Sequence, residues 1–171
     1  MKIAKMAMIL LAEIIIASII FMGLSYWQES DMLQSDVAAP ALSAQSLDGK
    51  TYHFPLRSNS SERTLVYFFA PWCKICHLSI GNLNILREQI DQSKLAIIIV
   101  ALDWKTKEEV TDFINEHELD FPVLLGNQRW QQEYKIKGFP SYYVLDKKGD
   151  VLSRSMGYSS ALGMLRRSIY M

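Results

Sequence analysis

Two continuous apolar runs constrain this chain most: "TLVYFFA" (Thr64–Ala70) and "LAIIIVAL" (Leu95–Leu102). Both are rich in β-branched and aromatic residues, and neither alternates apolar with polar side chains. Strands built from them must be covered on both faces. The segment between the runs has helical spacing from Cys73 to about Asp91, with Ile75, Leu78, Leu83, Leu86 and Ile90 near one face. Gly81 lies inside it and predicts a kink or a close approach. A polar helix over Thr106–Leu119 turns Val110, Phe113 and Ile114 inward, and Thr106 with Glu109 forms a capping box. "FPVLL" predicts a short strand, Gln128–Tyr134 a short helix, and Ser159–Tyr170 a closing helix carrying Leu162, Leu165 and Ile169. Two hairpin turns are marked by Asp48-Gly49 and by Lys147-Lys148-Gly149-Asp150. The order ββ-β-α-β-α-β-α-β-β-α predicts an α/β fold, a central mixed sheet flanked by helices.

The N-terminus is different in kind. Met6–Leu24 is a 19-residue run with one charge, Glu13. As a helix it spans about 28 Å, close to the ~30 Å hydrocarbon core of a bilayer. Glu13 near its middle costs roughly 2.5–3.5 kcal/mol in lipid, which the flanking Ile and Leu residues offset. Lys2 and Lys5 precede the run, Tyr26 and Trp27 follow it, and no Lys or Arg then occurs until Lys50. The expectation is a transmembrane signal-anchor over residues 1–27 with the C-terminal side out, a linker over 28–38 and a folded domain over 39–171. The apolar core is longer than the usual 7–15 residues of a cleaved signal and no good small-x-small site follows it. No cysteine stands where lipid attachment would need one. Eighteen basic and eighteen acidic residues balance to zero formal charge, and no basic run interleaved with aromatics suggests nucleic-acid binding.

The two cysteines stand three apart in "APWCKICH", Ala70–His77. A scaffold stapled by disulfides would use more cysteines, more widely spaced, so these read as a site. Cys73 falls where a buried strand hands over to a helix, above unpaired backbone N–H groups and the positive end of the helix dipole. Cysteines so placed fall from a pKa of about 8.5 to about 3.5–7.5, and Lys74 pushes the same way. Cys76, one turn on, is within disulfide reach. Cys73 is therefore expected to be exposed and nucleophilic, with Cys76 beneath it resolving the mixed disulfide. Pro71 suits the turn out of the strand. Trp72 reads equally as a packed aromatic or as a flat substrate-contacting lid.

Cys-x-x-Cys-His is also the attachment pattern of a c-type haem, with His77 as axial ligand. The α/β pattern around it leaves little room for a macrocycle. Cu(I) on Cys73, Cys76 and His77 is the other alternative, and no further ligand is evident for it. The reading assigns no cofactor and no metal, and gives His53 and His117 no role. In "KGFPSYYVLD", Pro140 stands just before a buried strand; the residues alone favour a trans proline at a strand start.

"VYFFAPWCKICH" together with "YKIKGFPSYYVLDKKGDVLSRSMGY" resembles the thioredoxin fold, in particular the TlpA/ResA-like membrane-anchored thiol–disulfide oxidoreductases. The resemblance covers about Ala39–Met171, and the Asp48-Gly49 hairpin is also like that group. It implies Cys73 as the attacking cysteine, Cys76 as the resolving one, Pro140 as a cis-proline, and Phe139 as a residue whose backbone pairs with an extended substrate. It implies reduction of cysteine-containing client proteins at the periplasmic face of a bacterial inner membrane, with electrons from a DsbD-like membrane donor. There are departures. Tyr67 occupies the position of the buried Asp of thioredoxins, and Ser79 that of a Glu found in some relatives, so the proton acceptor for Cys76 is unassigned; Asp103 is a weak candidate. A peroxiredoxin is disfavoured, because those place a lone cysteine after Pro-x-x-x-Thr.

Overall fold

The computed structural model describes residues 2–55 and 61–170; within the first helix it describes the side chains of residues 6, 8–20, 23, 29 and 30. The chain divides into two units, Met1–Asp31 and Met32–Met171. The first is a helix, α1 (Lys2–Ser30). Its large apolar side chains from Ile9 to Ile20 are all at least half exposed and point to every side of the helix. Among the described residues no helix is long and apolar enough to cross a membrane. Lys2, Lys5, Tyr26 and Trp27, on which the sequence-based orientation rests, lie outside the described side chains.

In the second unit the strands are β1 (Leu42–Ser46), β2 (Thr51–Phe54), β3 (Arg63–Phe69), β4 (Leu95–Ala101), β5 (Val123–Leu125), β6 (Ser141–Asp146) and β7 (Val151–Met156). The helices are α2 (Lys74–Ser79), α3 (Asn82–Gln89), α4 (Lys107–Glu116), α5 (Gln128–Glu133) and α6 (Ala161–Ile169). One seven-stranded sheet runs β2-β1-β5-β4-β3-β6-β7. Its centre is parallel, with β3 beside β4 and β4 beside β5; the flanking pairs are antiparallel. This is the mixed sheet with an added N-terminal hairpin that the sequence predicts.

Strand periodicity makes the two cores. Leu65, Tyr67 and Phe69 of β3 face α2, α3, α4 and α6, while Val66 and Phe68 face α5 and the N-terminal hairpin. The segment expected to be a linker, 28–38, is divided: helix α1 continues to Ser30, whereas Met32 and Leu33 are buried among Phe68, Trp130 and Tyr143.

The long helix expected over Cys73–Asp91 is interrupted at Ile80–Gly81 into α2 and α3. The interruption changes which face is apolar. Ile75 and Leu78, expected in the core, are exposed; Cys76, Ser79 and Ile80 are buried instead. Leu83, Leu86 and Ile90 are buried as expected. The face of α6 is likewise turned, burying Met164 and Ser168 and exposing Leu162. Thr106 caps α4 through its Oγ1, which accepts from the Glu109 N–H at 3.3 Å, and Glu109 Oε2 accepts from the Lys105 N–H at 3.1 Å.

Candidate active site

The site lies where the parallel strands end. β3 stops at Phe69, a turn through Ala70–Trp72 follows, and Cys73 is the N-cap of α2. Cys73 has extended backbone dihedrals, φ −80° and ψ 106°, and its Sγ accepts from the Cys76 N–H at 3.1 Å. That is the capping role an Asp or Ser oxygen usually fills. The donated N–H and the start of the helix both stabilise negative charge on this sulfur when it is reduced. Here Cys73 and Cys76 are joined by a disulfide, with Cα atoms 5.2 Å apart.

The two sulfurs differ in access, although less than the sequence reading expects. Cys73 keeps 6% of its surface and Cys76 none. Cys73 is not openly exposed, because its sulfur is bonded inward and packs with Ala70, Ile80 and Cys76 in one apolar cluster. Cys73 is therefore the one of the pair with any surface to meet a partner, and Cys76 has none.

Trp72 stands beside the disulfide and is 60% exposed. Its Nε1–H is shared between the Asp103 backbone carbonyl and Asp103 Oδ2, each at 3.1 Å, and its ring meets Phe139 edge-on at 6.0 Å. Asp103 takes this position from a left-handed backbone conformation, φ 50°, just past β4. Its carboxylate is committed to the tryptophan and not to Cys76. Phe139–Pro140 is a cis peptide bond, as the resemblance implies and against the reading of the residues alone. Pro140 is buried and its carbonyl accepts from the Gly157 N–H at 2.7 Å. The Trp72–Phe139 contact therefore brings the Cys73–Cys76 turn and the Phe139–Pro140 loop together from distant parts of the chain.

Under Cys76 the surroundings are apolar or hydroxylic. Tyr67 and Ser79 are fully buried, and burial holds the Tyr67 phenol protonated far above its ordinary range. Neither replaces a carboxylate as proton acceptor. Ser79 Oγ instead donates weakly to the Ser159 carbonyl at 3.5 Å.

His77 faces away from the sulfurs. Its Nε2 lies 3.0 Å from the Pro71 carbonyl oxygen and its Nδ1 lies 2.9 Å from His117 Nε2. Both nitrogens meet partners other than the cysteines, so this geometry gives no support to the Cu(I) and haem alternatives, which need His77 beside the sulfurs. A buried Cys76 also has no room to carry a thioether-linked macrocycle. The His77–His117 pairing escapes a sequence reading because 40 residues separate the partners and the pattern that contains His77 says nothing of His117. The Trp72–Asp103 bond escapes for the same reason.

The chain is similar to known proteins over much of this domain. It is 27% identical over 127 residues to the thioredoxin-like protein YneN of Bacillus subtilis, covering 73% of each chain. It is 30% identical over 88 residues to the thiol-disulfide oxidoreductase ResA of Oceanobacillus iheyensis, covering 51% of this chain and 45% of the relative. The crystal structure of a thiol:disulfide interchange protein of the thioredoxin family from Chlorobium tepidum superposes with a TM-score of 0.67 at 20% identity, covering 80% of this chain and 95% of that one. That likeness shows a thioredoxin-like fold. A model of the AhpC/TSA family matches residues 36–154, the greater part of the chain, and the protein therefore belongs to the AhpC/TSA family.

Proposed function

We propose that this protein is a thiol–disulfide oxidoreductase exchanging two electrons with cysteine-containing client proteins through Cys73 and Cys76. The observation that carries the reading is the disulfide closing the first turn of α2, with the cap sulfur accepting a backbone N–H. In the reducing direction the Cys73 thiolate attacks one sulfur of a client disulfide, and the other client sulfur leaves as a thiolate and takes up a proton. Cys76, losing its proton, then attacks Cys73 Sγ. The second client sulfur departs as a thiolate, the client has gained two electrons, and the Cys73–Cys76 bond is restored. The oxidising direction runs the same steps backwards.

Recognition falls to the rim. Trp72 and Leu78, 60% and 71% exposed, put apolar surface around the sulfur, and Ile75 extends it. In this reading the Phe139 backbone, ahead of cis-Pro140, pairs with an extended client segment, and Pro140 holds that loop against the disulfide. Reduction is the direction supported by the resemblance to TlpA/ResA-like proteins, with electrons resupplied by a DsbD-like membrane donor. Attachment to the bacterial inner membrane through the N-terminal segment, with the catalytic domain in the periplasm, rests on the apolar Met6–Leu24 run of the sequence.

The test is a trap. In cells a Cys76→Ser variant should accumulate mixed disulfides that dissolve on treatment with dithiothreitol, and Cys73→Ser should accumulate none. If Cys76→Ser captures nothing, and the wild-type pair does not cycle between dithiol and disulfide in glutathione buffers, the reading fails. Related couples span about −270 to −120 mV. A couple near the oxidising end overturns the reductive direction while leaving the exchange chemistry standing. A phosphatase reporter fused at the C-terminus should be active outside the cytosol; an inactive, well-expressed fusion overturns the periplasmic placement.

A further inference from the structure

We propose that His77, Glu116 and His117 form a binding site for a zinc-class divalent cation, linking α2 to the C-terminal end of α4. Their ligand atoms all lie within 4.8 Å of one another. The site is independent of the redox reading, since neither cysteine contributes to it.

The proton positions are what make these three residues a site. A carbonyl oxygen only accepts, so the 3.0 Å contact between His77 Nε2 and the Pro71 carbonyl places the His77 proton on Nε2. In the neutral ring Nδ1 then presents a lone pair. That lone pair meets His117 Nε2, 2.9 Å away, and Glu116 Oε2 lies 3.6 Å from the same nitrogen. A backbone carbonyl fixing the far nitrogen is the arrangement by which proteins orient metal-ligating imidazoles. Phe113 holds both ring planes, with its centroid 4.5 Å from the His77 ring and 4.8 Å from that of His117.

Without a cation, His117 donates its Nε2 proton to His77. To bind one, His117 moves that proton to Nδ1 and offers Nε2, an exchange between two neutral tautomers. Zinc–nitrogen bonds of about 2.0–2.1 Å in a tetrahedron place two nitrogens about 3.3 Å apart. The 2.9 Å observed must open by about 0.4 Å, and both rings must turn so that their lone pairs converge on the ion instead of lying along the line between the nitrogens. Glu116, 64% exposed in its side chain, can swing its carboxylate in as the third ligand. Two imidazoles and one carboxylate leave a fourth position for water. Two nitrogen ligands also disfavour magnesium and calcium, which take oxygen.

The experiment uses the full chain with its disulfide formed, so that no thiolate competes. Zinc chloride is titrated calorimetrically in a non-chelating buffer, and cobalt(II) serves as the absorbing probe. One saturable site is expected, together with a cobalt spectrum of nitrogen and oxygen ligands and a Tm that rises with zinc. His117→Gln and Glu116→Gln should each weaken zinc binding by at least about tenfold, the scale seen even for outer-shell changes. A Cys73→Ser/Cys76→Ser double variant should bind as wild type does. Glu116 is exposed, so its variant tests the site even if the His117 variant misfolds. Absence of saturable binding overturns the proposal, as does wild-type affinity in either variant, or binding that disappears with the cysteines.

Discussion

At the scale of single residues, the second core depends on one hydroxyl. Tyr143 is fully buried; its OH donates to the Tyr134 carbonyl at 2.7 Å and accepts from the Leu33 N–H at 3.2 Å. Tyr143→Phe keeps the ring and strands both partners, and an unsatisfied buried group costs about 1–3 kcal/mol. A urea midpoint at pH 7 should fall accordingly; an unchanged midpoint would mean that water reaches the two groups. The same residue gives a pH signature. Burial pushes the Tyr143 phenol up to about 12, against an ordinary 10. Above pH 10 the unfolded chain releases this proton while the folded chain keeps it, so ν_U − ν_N is negative and stability falls as pH rises. Tyr143 thus contributes stability that is complete below pH 10 and is lost towards pH 12, at up to about 1.4 kcal/mol per pH unit. The stability gap between wild type and Tyr143→Phe should therefore narrow between pH 10 and 12. A gap constant across that range would show that the phenol titrates normally.

At the scale of elements, Gly81 and Gly126 should respond oppositely to alanine. Gly81 sits at the α2–α3 break with ordinary helical dihedrals, φ −58° and ψ −22°, and a Cβ there meets nothing within 4 Å. Gly81→Ala should raise stability by about 0.4–1 kcal/mol by restricting the unfolded chain. A Cβ on Gly126 would stand 2.6 Å from Leu102 Cδ2 and 2.8 Å from Val100 Cγ1, inside the sheet. Gly126→Ala should cost about 1–3 kcal/mol of overpacking, read from the shift in urea midpoint. If Gly81→Ala destabilises, the break is required by packing that the open space does not reveal. The break also explains what the sequence leaves illegible. The strands and the Cys73–Cys76 pair are readable because their signals are local: unbroken apolar runs, and two cysteines one turn apart. Ile75 and Leu78 mislead because a periodicity carried across Gly81 assumes one helix axis where two short helices exist. Those two residues are exposed, and hydrophobicity alone cannot separate a core face from an exposed apolar one. Asp103 reaches Trp72, and His117 reaches His77, only through the tertiary fold.

At the scale of the whole molecule, the question is where the folded domain begins. The composition change near residue 39 suggests that the domain starts there, but the contacts begin earlier. Met32 and Leu33 are buried in the second core, and Leu33 provides one of the two partners of the Tyr143 hydroxyl. Asp36 and Val37 exchange backbone hydrogen bonds with Val151 at 2.9 Å each, and Ala38 bridges to Asp150. These contacts attach the segment to β7, an edge strand that would otherwise expose its backbone groups. A fragment 32–171 should consequently unfold cooperatively with a urea midpoint close to that of the full chain. A fragment 39–171 gives up two buried apolar side chains, each worth about 1.5–3 kcal/mol when fully buried, and leaves the edge of β7 uncovered. Its midpoint should fall well below that of 32–171, and it should associate at high concentration through the bared strand. The Cys73–Cys76 couple lies in the other core and should keep the same reduction potential in both fragments. Equal urea midpoints would show that residues 32–38 are a tether and not part of the domain. A shifted potential would show that the two faces of the sheet are coupled through β3.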